Sequence, residues 1–194
     1  MLLRKMEEHV IFAAWAMIFC IAIAPVYADY YSKTVTPRSK PEKVTHLHFF
    51  LHDILGGENP GAVVVARANL TKKDDSMLPF GTVVAIDDPL RVGPEPTSKI
   101  IGNAQGLYLS SSQDASKFTI VLYADLAFTS GKFNGSSFSV FSRNPVTEAD
   151  REVALVGGRG KFRLARGFAK IKTHYFNATT GDAILDYKVT LYHY

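Results

Sequence analysis

Val44-Thr45-His46-Leu47-His48-Phe49-Phe50-Leu51-His52-Asp53 is the stretch whose reading decides the fold. With a period of two, Thr45, Leu47, Phe49, Leu51 and Asp53 share one side, and Val44, His46, His48, Phe50 and His52 share the other. That alternation marks a β-strand, since successive side chains leave a pleated chain on opposite faces. Working outward, further β-rich runs cover residues 62–68, 80–87, 100–110, 117–128, 136–142, 162–176 and 183–194. Turn signals separate them: Gly56-Gly57, Asn59-Pro60-Gly61, Asp88-Pro89, Pro94-Glu95-Pro96, Gly131, Asn134-Gly135, Asn144-Pro145, Gly157-Gly158 and Gly181-Asp182. No segment carries a 3.6-residue apolar stripe across three turns.

Eight strands with short connections and no helices predict an all-β chain, an eight-stranded antiparallel up-and-down β-barrel. The last run sets Leu185, Tyr187, Val189, Leu191 and His193 against the more mixed Ile184, Asp186, Lys188, Thr190 and Tyr192. Closing such strands on themselves removes the edges that invite aggregation. At this strand number the interior holds side chains or one small ligand. A β-sandwich is compatible with the same pattern.

Upstream lies the one long apolar run. Arg4 and Lys5 precede an unbroken apolar stretch from Val10 to Ala24, Pro25 ends it, and Val26-Tyr27-Ala28 offers small residues for cleavage. Residues 1–28 are predicted to be a secretory signal peptide, with a single-span anchor as the rival. Residues 29–43, with Pro37 and Pro41, read as a flexible arm, and 44–194 as the barrel domain. The only cysteine, Cys20, leaves with the signal, so disulfides cannot hold the mature domain. Asn69, Asn134 and Asn177 each open a glycosylation sequon. These features predict a glycoprotein of the extracellular space.

Composition bounds the chemistry. With 194 residues, 47% hydrophobic and 21% charged, the chain can bury a core, which excludes wholesale disorder. The net charge of +4 and the cluster Lys161, Arg163, Arg166, Lys170 and Lys172 invite a nucleic-acid reading. A secretory leader and so modest a charge argue for a solvated surface instead, with no nucleic-acid partner. Gly157-Gly158-Arg159-Gly160 lacks the third glycine of a dinucleotide fingerprint, and no phosphate loop, paired-cysteine zinc site or calcium loop occurs. His46, His48 and His52 share a strand face but lack a fourth ligand, so no metal site is expected. Asp53 stands out. Facing a closed apolar lumen, its carboxyl would be desolvated, held neutral and able to donate a proton. The rival is an aspartate capping the turn from Ile54 to Gly57.

His52-Asp53-Ile54-Leu55, Ala104-Gln105-Gly106-Leu107-Tyr108 and the run from Val156 to Gly167 (VGGRGKFRLARG) resemble, in order and spacing, the plant dirigent family. The likeness runs from about Val44 to Tyr194. It implies an eight-stranded barrel, secretion into the apoplast, a homotrimer and no cofactor. It also implies a phenolic partner: phenoxy radicals, made by a separate laccase or peroxidase, are held so that coupling gives one stereoisomer. By position Asp53 matches the family's first cavity acid and Arg151 its arginine, while Asn144 stands where a second acid is found. An amide orients a hydroxyl but cannot deliver a proton as an acid does. That departure, and the missing cysteine pair, point to the branch containing pterocarpan synthases, which dehydrate an isoflavanol through a quinone methide. A carrier without chemistry is the third reading. Tyr108 and Thr173 are further lumen candidates, with a plain wall residue of the core as the favoured reading, and Phe118, Phe128, Phe138 and Phe141 could stack on an aromatic ligand, with packing as the favoured reading.

Overall fold

In a computed structural model the chain divides into two units, Met1–Ser39 and Lys40–Tyr194. The residues described are Ile11, Trp15, 32–35, 41–69 and 76–194. In the first unit Ile11 and Trp15 are helical and exposed, and 32–35 are irregular. The expectations for a signal peptide and for most of the arm fall outside the described residues.

The second unit is almost wholly β. Its strands are β1 (Lys43–Asp53), β2 (Ala62–Ala66), β3 (Val83–Arg91), β4 (Ile100–Ser110), β5 (Thr119–Phe128), β6 (Ser137–Pro145), β7 (Arg151–Arg159), β8 (Arg166–Phe176) and β9 (Ala183–His193). Strands β3 to β9 run antiparallel in chain order, and β1 pairs with both β9 and β3. The eight strands β1 and β3–β9 thus close a barrel. The β1–β3 seam is thin, with only Phe50↔Arg91 and Leu51↔Leu90 paired.

The count of eight in the ring matches the sequence reading, but its membership does not. Ala62–Ala66 pairs with β3 alone and lies outside the ring. Its place is taken by β7, which the sequence hides because Gly157-Gly158 looks like a turn. Both glycines are inside the strand, opposite Ser139 and Phe138. A Cβ at Gly158 would lie 2.4 Å from the Phe162 carbonyl oxygen, so glycine serves close packing there, not chain reversal. Asp88-Pro89 and Asn144-Pro145 likewise belong to strands β3 and β6.

Inward positions alternate along the strands of the ring, as β3 and β9 show. On β3 they are Val84, Ile86, Asp88 and Leu90; on β9, Tyr187, Val189, Leu191 and His193. At one end of the barrel Phe128, Phe133, Phe138 and Phe162 meet with ring centroids 4.7–6.3 Å apart, and His193 sets its ring edge-on to Phe162 at 5.4 Å. Phe49 stacks on Tyr187 above them. This end is filled. Phe128 and Phe138 are therefore core, as the packing reading has it, and Phe141 points outward, 57% exposed.

Candidate active site

The opposite end opens into a cavity of about 510 Å³. That lies within the ~300–1,000 Å³ usual for small-molecule sites. Asp53 reaches it from the end of β1, Tyr108 from the end of β4, Asn144 from the end of β6, Arg151 from the start of β7 and Thr173 from β8. All five site candidates named from the sequence line this one cavity. Phe118, Ile120, Val146 and Leu185 supply apolar wall, and Met77, Leu78 and Phe80, just before β3, lie along it. Antiparallel pairing explains the convergence: the ends of β1, β4, β6 and β8 sit beside the starts of β5, β7 and β9.

Asp53 has two rival sequence readings, and the geometry separates them. The amides of Leu55 and Gly56 donate to Asp182 Oδ1, each at 2.9 Å, so Asp182 and not Asp53 holds that turn. Asp53 Oδ1 is buried without a hydrogen-bond partner. Burial, and secondarily the charge of Asp182, push its carboxyl up to about 7. Asp182 itself is held below the ordinary range: slight burial would raise it, but hydrogen bonds from Thr180 and from the Gly56 and Leu55 amides prevail.

Arg151 is buried, and among the described residues no carboxylate forms an ion pair with it. One of its Nη1 hydrogens goes to the Val146 carbonyl at 2.5 Å, while Nε and Nη2 are buried without partners. Burial pulls its ionisation below the usual arginine value, and Tyr187 opposes that pull. A desolvated cation without a counter-ion attracts whatever negative charge develops nearby. Asn144, 3% exposed, also leaves Oδ1 unpartnered. Tyr108 is buried, and burial reinforced by Asp53 and Asp88 drives its phenol well above the ordinary tyrosine range. Thr173 stands at the exposed rim.

One residue the sequence reading missed is Asp88. It faces inward on β3, is 1% exposed, and has both carboxyl oxygens buried without partners. Burial, then Asp53 and Asp87, push it up to about 9. Its signal was in the alternation Val84, Ile86, Asp88, Leu90, which the turn-like dipeptide Asp88-Pro89 concealed.

The histidines of β1 go separate ways. His46 Nδ1 is 3.2 Å from Thr190 Oγ1, His48 Nε2 is 2.9 Å from Asp186 Oδ1, and His52 is buried near the Gly93 carbonyl. Of the sequon asparagines, Asn69 and Asn134 are exposed, and Asn177 is half-buried with Oδ1 accepting from the Thr179 amide at 2.9 Å.

Comparison with known proteins places this geometry. The family model "Dirigent-like protein" matches residues 44–192. Dirigent protein 15 of Arabidopsis thaliana is 56% identical over 93% of this chain and 96% of its own length. Pterocarpan synthase 1 of Glycine max is 49% identical over 87% of this chain and 90% of its own length. A solved pterocarpan synthase dirigent protein superposes with a TM-score of 0.77 at 46% identity, covering 84% of this chain and 99% of that one.

Proposed function

Since this chain belongs to the dirigent family, we propose that its open-end cavity binds phenylpropanoid-derived phenols and imposes stereochemistry on their coupling, a separate laccase or peroxidase making the radicals. The observation that carries the reading is an unpartnered, burial-neutralised acid, Asp53, in a largely apolar cavity that also holds an uncompensated arginine. Such a cavity contributes orientation, fixing which faces of two reactants meet. Asp53 donates a proton to a quinone-methide or alcohol oxygen, and Arg151 stabilises negative charge on a phenolic oxygen. Asn144 and Tyr108 orient hydroxyls.

A second reading has its own support. Two curated relatives and two solved structures are named as pterocarpan synthases, at 46–49% identity. With Asn144 at the second acid position, Asp53 is the one buried acid among the described lining residues, Asp114 being exposed. One acid suffices to help a hydroxyl leave an isoflavanol: the C–O bond breaks as Asp53 protonates the departing oxygen, water is released, and the conjugated phenol gives its proton to solvent to leave the neutral quinone methide. The neighbouring phenol then adds to the quinone methide, its proton returning to Asp53, while the conjugated phenolate oxygen regains a proton from solvent. No oxidant enters this balance.

Two incubations separate the readings. Coniferyl alcohol with a laccase should give one enantiomer in excess when the protein is present, and racemate without it. An isoflavanol without oxidase should be cyclised only if the second reading holds. Racemic coupling together with an unreacted isoflavanol would remove both and leave a carrier. The proposal includes secretion to the apoplast, glycosylation at Asn69, Asn134 or Asn177, and assembly as a homotrimer. Self-association is supported by an outer row of cross-strand neighbours, Leu107, Tyr123 and Phe141, each exposed. A monomer in light scattering would contradict it.

A further inference from the structure

Arg151 keeps its charge at any pH the protein meets, and its surroundings leave most of that charge unused. Of its three nitrogens only Nη1 is engaged, donating to the Val146 carbonyl at 2.5 Å. Nη1 lies on the Cδ side of the planar guanidinium, so Nε–H and one N–H of Nη2 point the same way along another edge. That edge is one onto which a carboxylate docks with two parallel N–H···O bonds. Both nitrogens are buried, and neither has a partner among the described residues. Arg151 is 3% exposed and lines the open-end cavity. Two charged donors held dry and unpaired are costly to the fold, and a backbone carbonyl on the third nitrogen does not neutralise the cation.

The rest of the cavity sets the charge and shape of the group that fits this edge. Arg151 is the one basic side chain among the described lining residues, so a doubly charged group with three oxygens, such as a phosphate, would be left short of donors and of counter-charge. Asp53 and Asp88, pushed up to about 7 and about 9 chiefly by burial, are neutral in mildly acidic solution and do not offset the cation. Asp114, the other acid of the lining, is exposed at the rim with Lys117 Nζ 3.6 Å away. Arg151 on β7 stands three places from Asp53 on β1 in the ring of eight strands, so the two lie on opposing walls of the bore. A ligand that engages both carries its anionic group at one end of an apolar body and its hydroxyl at the other.

We propose that the cavity takes an ionised hydroxycinnamate, its carboxylate seated on the Nε/Nη2 edge of Arg151 and its phenolic end facing Asp53, in preference to the corresponding alcohol. This deepens the first reading above by naming the charge of the phenol, and it rests on the open-end cavity being where that phenol binds. A neutral alcohol offers the edge one oxygen and no charge, whereas the acid offers two oxygens and a full charge. Arg151 thereby selects among phenylpropanoids by the oxidation state of the side-chain terminus. With such a ligand Arg151 is an anchor, and the proton chemistry stays at Asp53.

Three ligands of one skeleton test this: ferulate, methyl ferulate, whose carboxylate is esterified, and coniferyl alcohol. Calorimetric titration of the protein at pH 6 should find ferulate bound about 10- to 100-fold more tightly than the ester or the alcohol, the gain expected of a charge-assisted bidentate pair. Arg151→Lys keeps the charge but loses the fork; it should erase most of that preference and leave the affinity for the ester within about threefold. The Nε–H resonance of Arg151, assigned by its absence from Arg151→Lys, should move with ferulate and stay in place with the ester. Should Arg151→Lys not fold, the acid-against-ester comparison in the wild type decides. Equal affinity for acid and ester, or a preference undiminished in Arg151→Lys, would overturn the proposal. A preference for the acid, with racemic coupling of both ferulate and coniferyl alcohol under laccase, leaves the inference standing and removes the functional reading. Selective coupling of the alcohol without any preference for the acid does the reverse.

Discussion

The two ends of the barrel are built by the same strands and are opposite in character. At the filled end, Phe128, Phe133, Phe138 and Phe162 interlock, and the one polar side chain among them, His193, has Nε2 2.9 Å from Thr45 Oγ1. At the open end, Asp53, Asn144 and Arg151 carry buried polar atoms that no described residue satisfies. Aromatic burial and ring packing favour folding, whereas an unpaired buried polar group costs about 1–3 kcal/mol. The lesson is a division along the axis: the aromatic end stabilises the barrel with one buried ring nitrogen, His193 Nδ1, left over, and the other end gathers unpartnered polar groups where a ligand can reach them.

The largest effect expected of any substitution is at the open end. Asp53→Asn should lower turnover or stereoselectivity by about 100-fold or more while leaving the fold intact, as circular dichroism and chiral chromatography would show. Loss of folding, or unchanged product bias, would break the division. At the filled end Phe162→Ala should cost about 3–5 kcal/mol, lowering Tm by about 10 °C, with ligand affinity per folded molecule unchanged. A comparable loss of affinity would mean the two ends are not separable.

Stability against pH probes the open end without a ligand. Asp53 and Asp88 bind protons more tightly folded than unfolded, with values of about 7 and about 9 against 3.8. The folded state therefore holds more protons than the unfolded chain above pH 3.8, and stability falls as pH rises through this range. Each extra proton held by the folded state costs about 1.4 kcal/mol for every pH step of one, so several kcal/mol should be lost between about pH 5 and 9. Denaturant midpoints should decline over this window in the wild type and more gently in Asp88→Asn; equal slopes would deny Asp88 its burial cost. The smallest effect belongs to the outer surface. His48→Gln breaks an exposed contact with Asp186 and should change stability by less than about 0.5 kcal/mol, with activity untouched.

What the sequence made legible follows from how local each signal is. The inner face of β1 could be read because Leu47, Phe49 and Leu51 alternate strictly, and that same alternation put Asp53 inside. β7 could not, because Gly157 and Gly158 lie within the strand, Gly158 serving close packing, and nothing local distinguishes that use from a turn. Proline beside Asp88 and Asn144 cut two strands short for the same reason and took Asp88 out of view. Which residues meet at the cavity depends on registers between strands far apart in sequence. Arg151 and Asn144 were accordingly reached through resemblance, not through spacing. The phenylalanines show the same limit: Phe118 lines the cavity, Phe138 fills the far end and Phe141 faces outward, although all three sit in similar β-rich text.

The central claim is that Asp53 is a protonated acid facing a ligand cavity near neutral pH, and its side-chain ¹³C resonance reports this directly. The expected titration has its midpoint close to 7 in the free protein and moves when a phenol such as coniferyl alcohol is added. A midpoint near 4 that no phenol shifts would contradict the account.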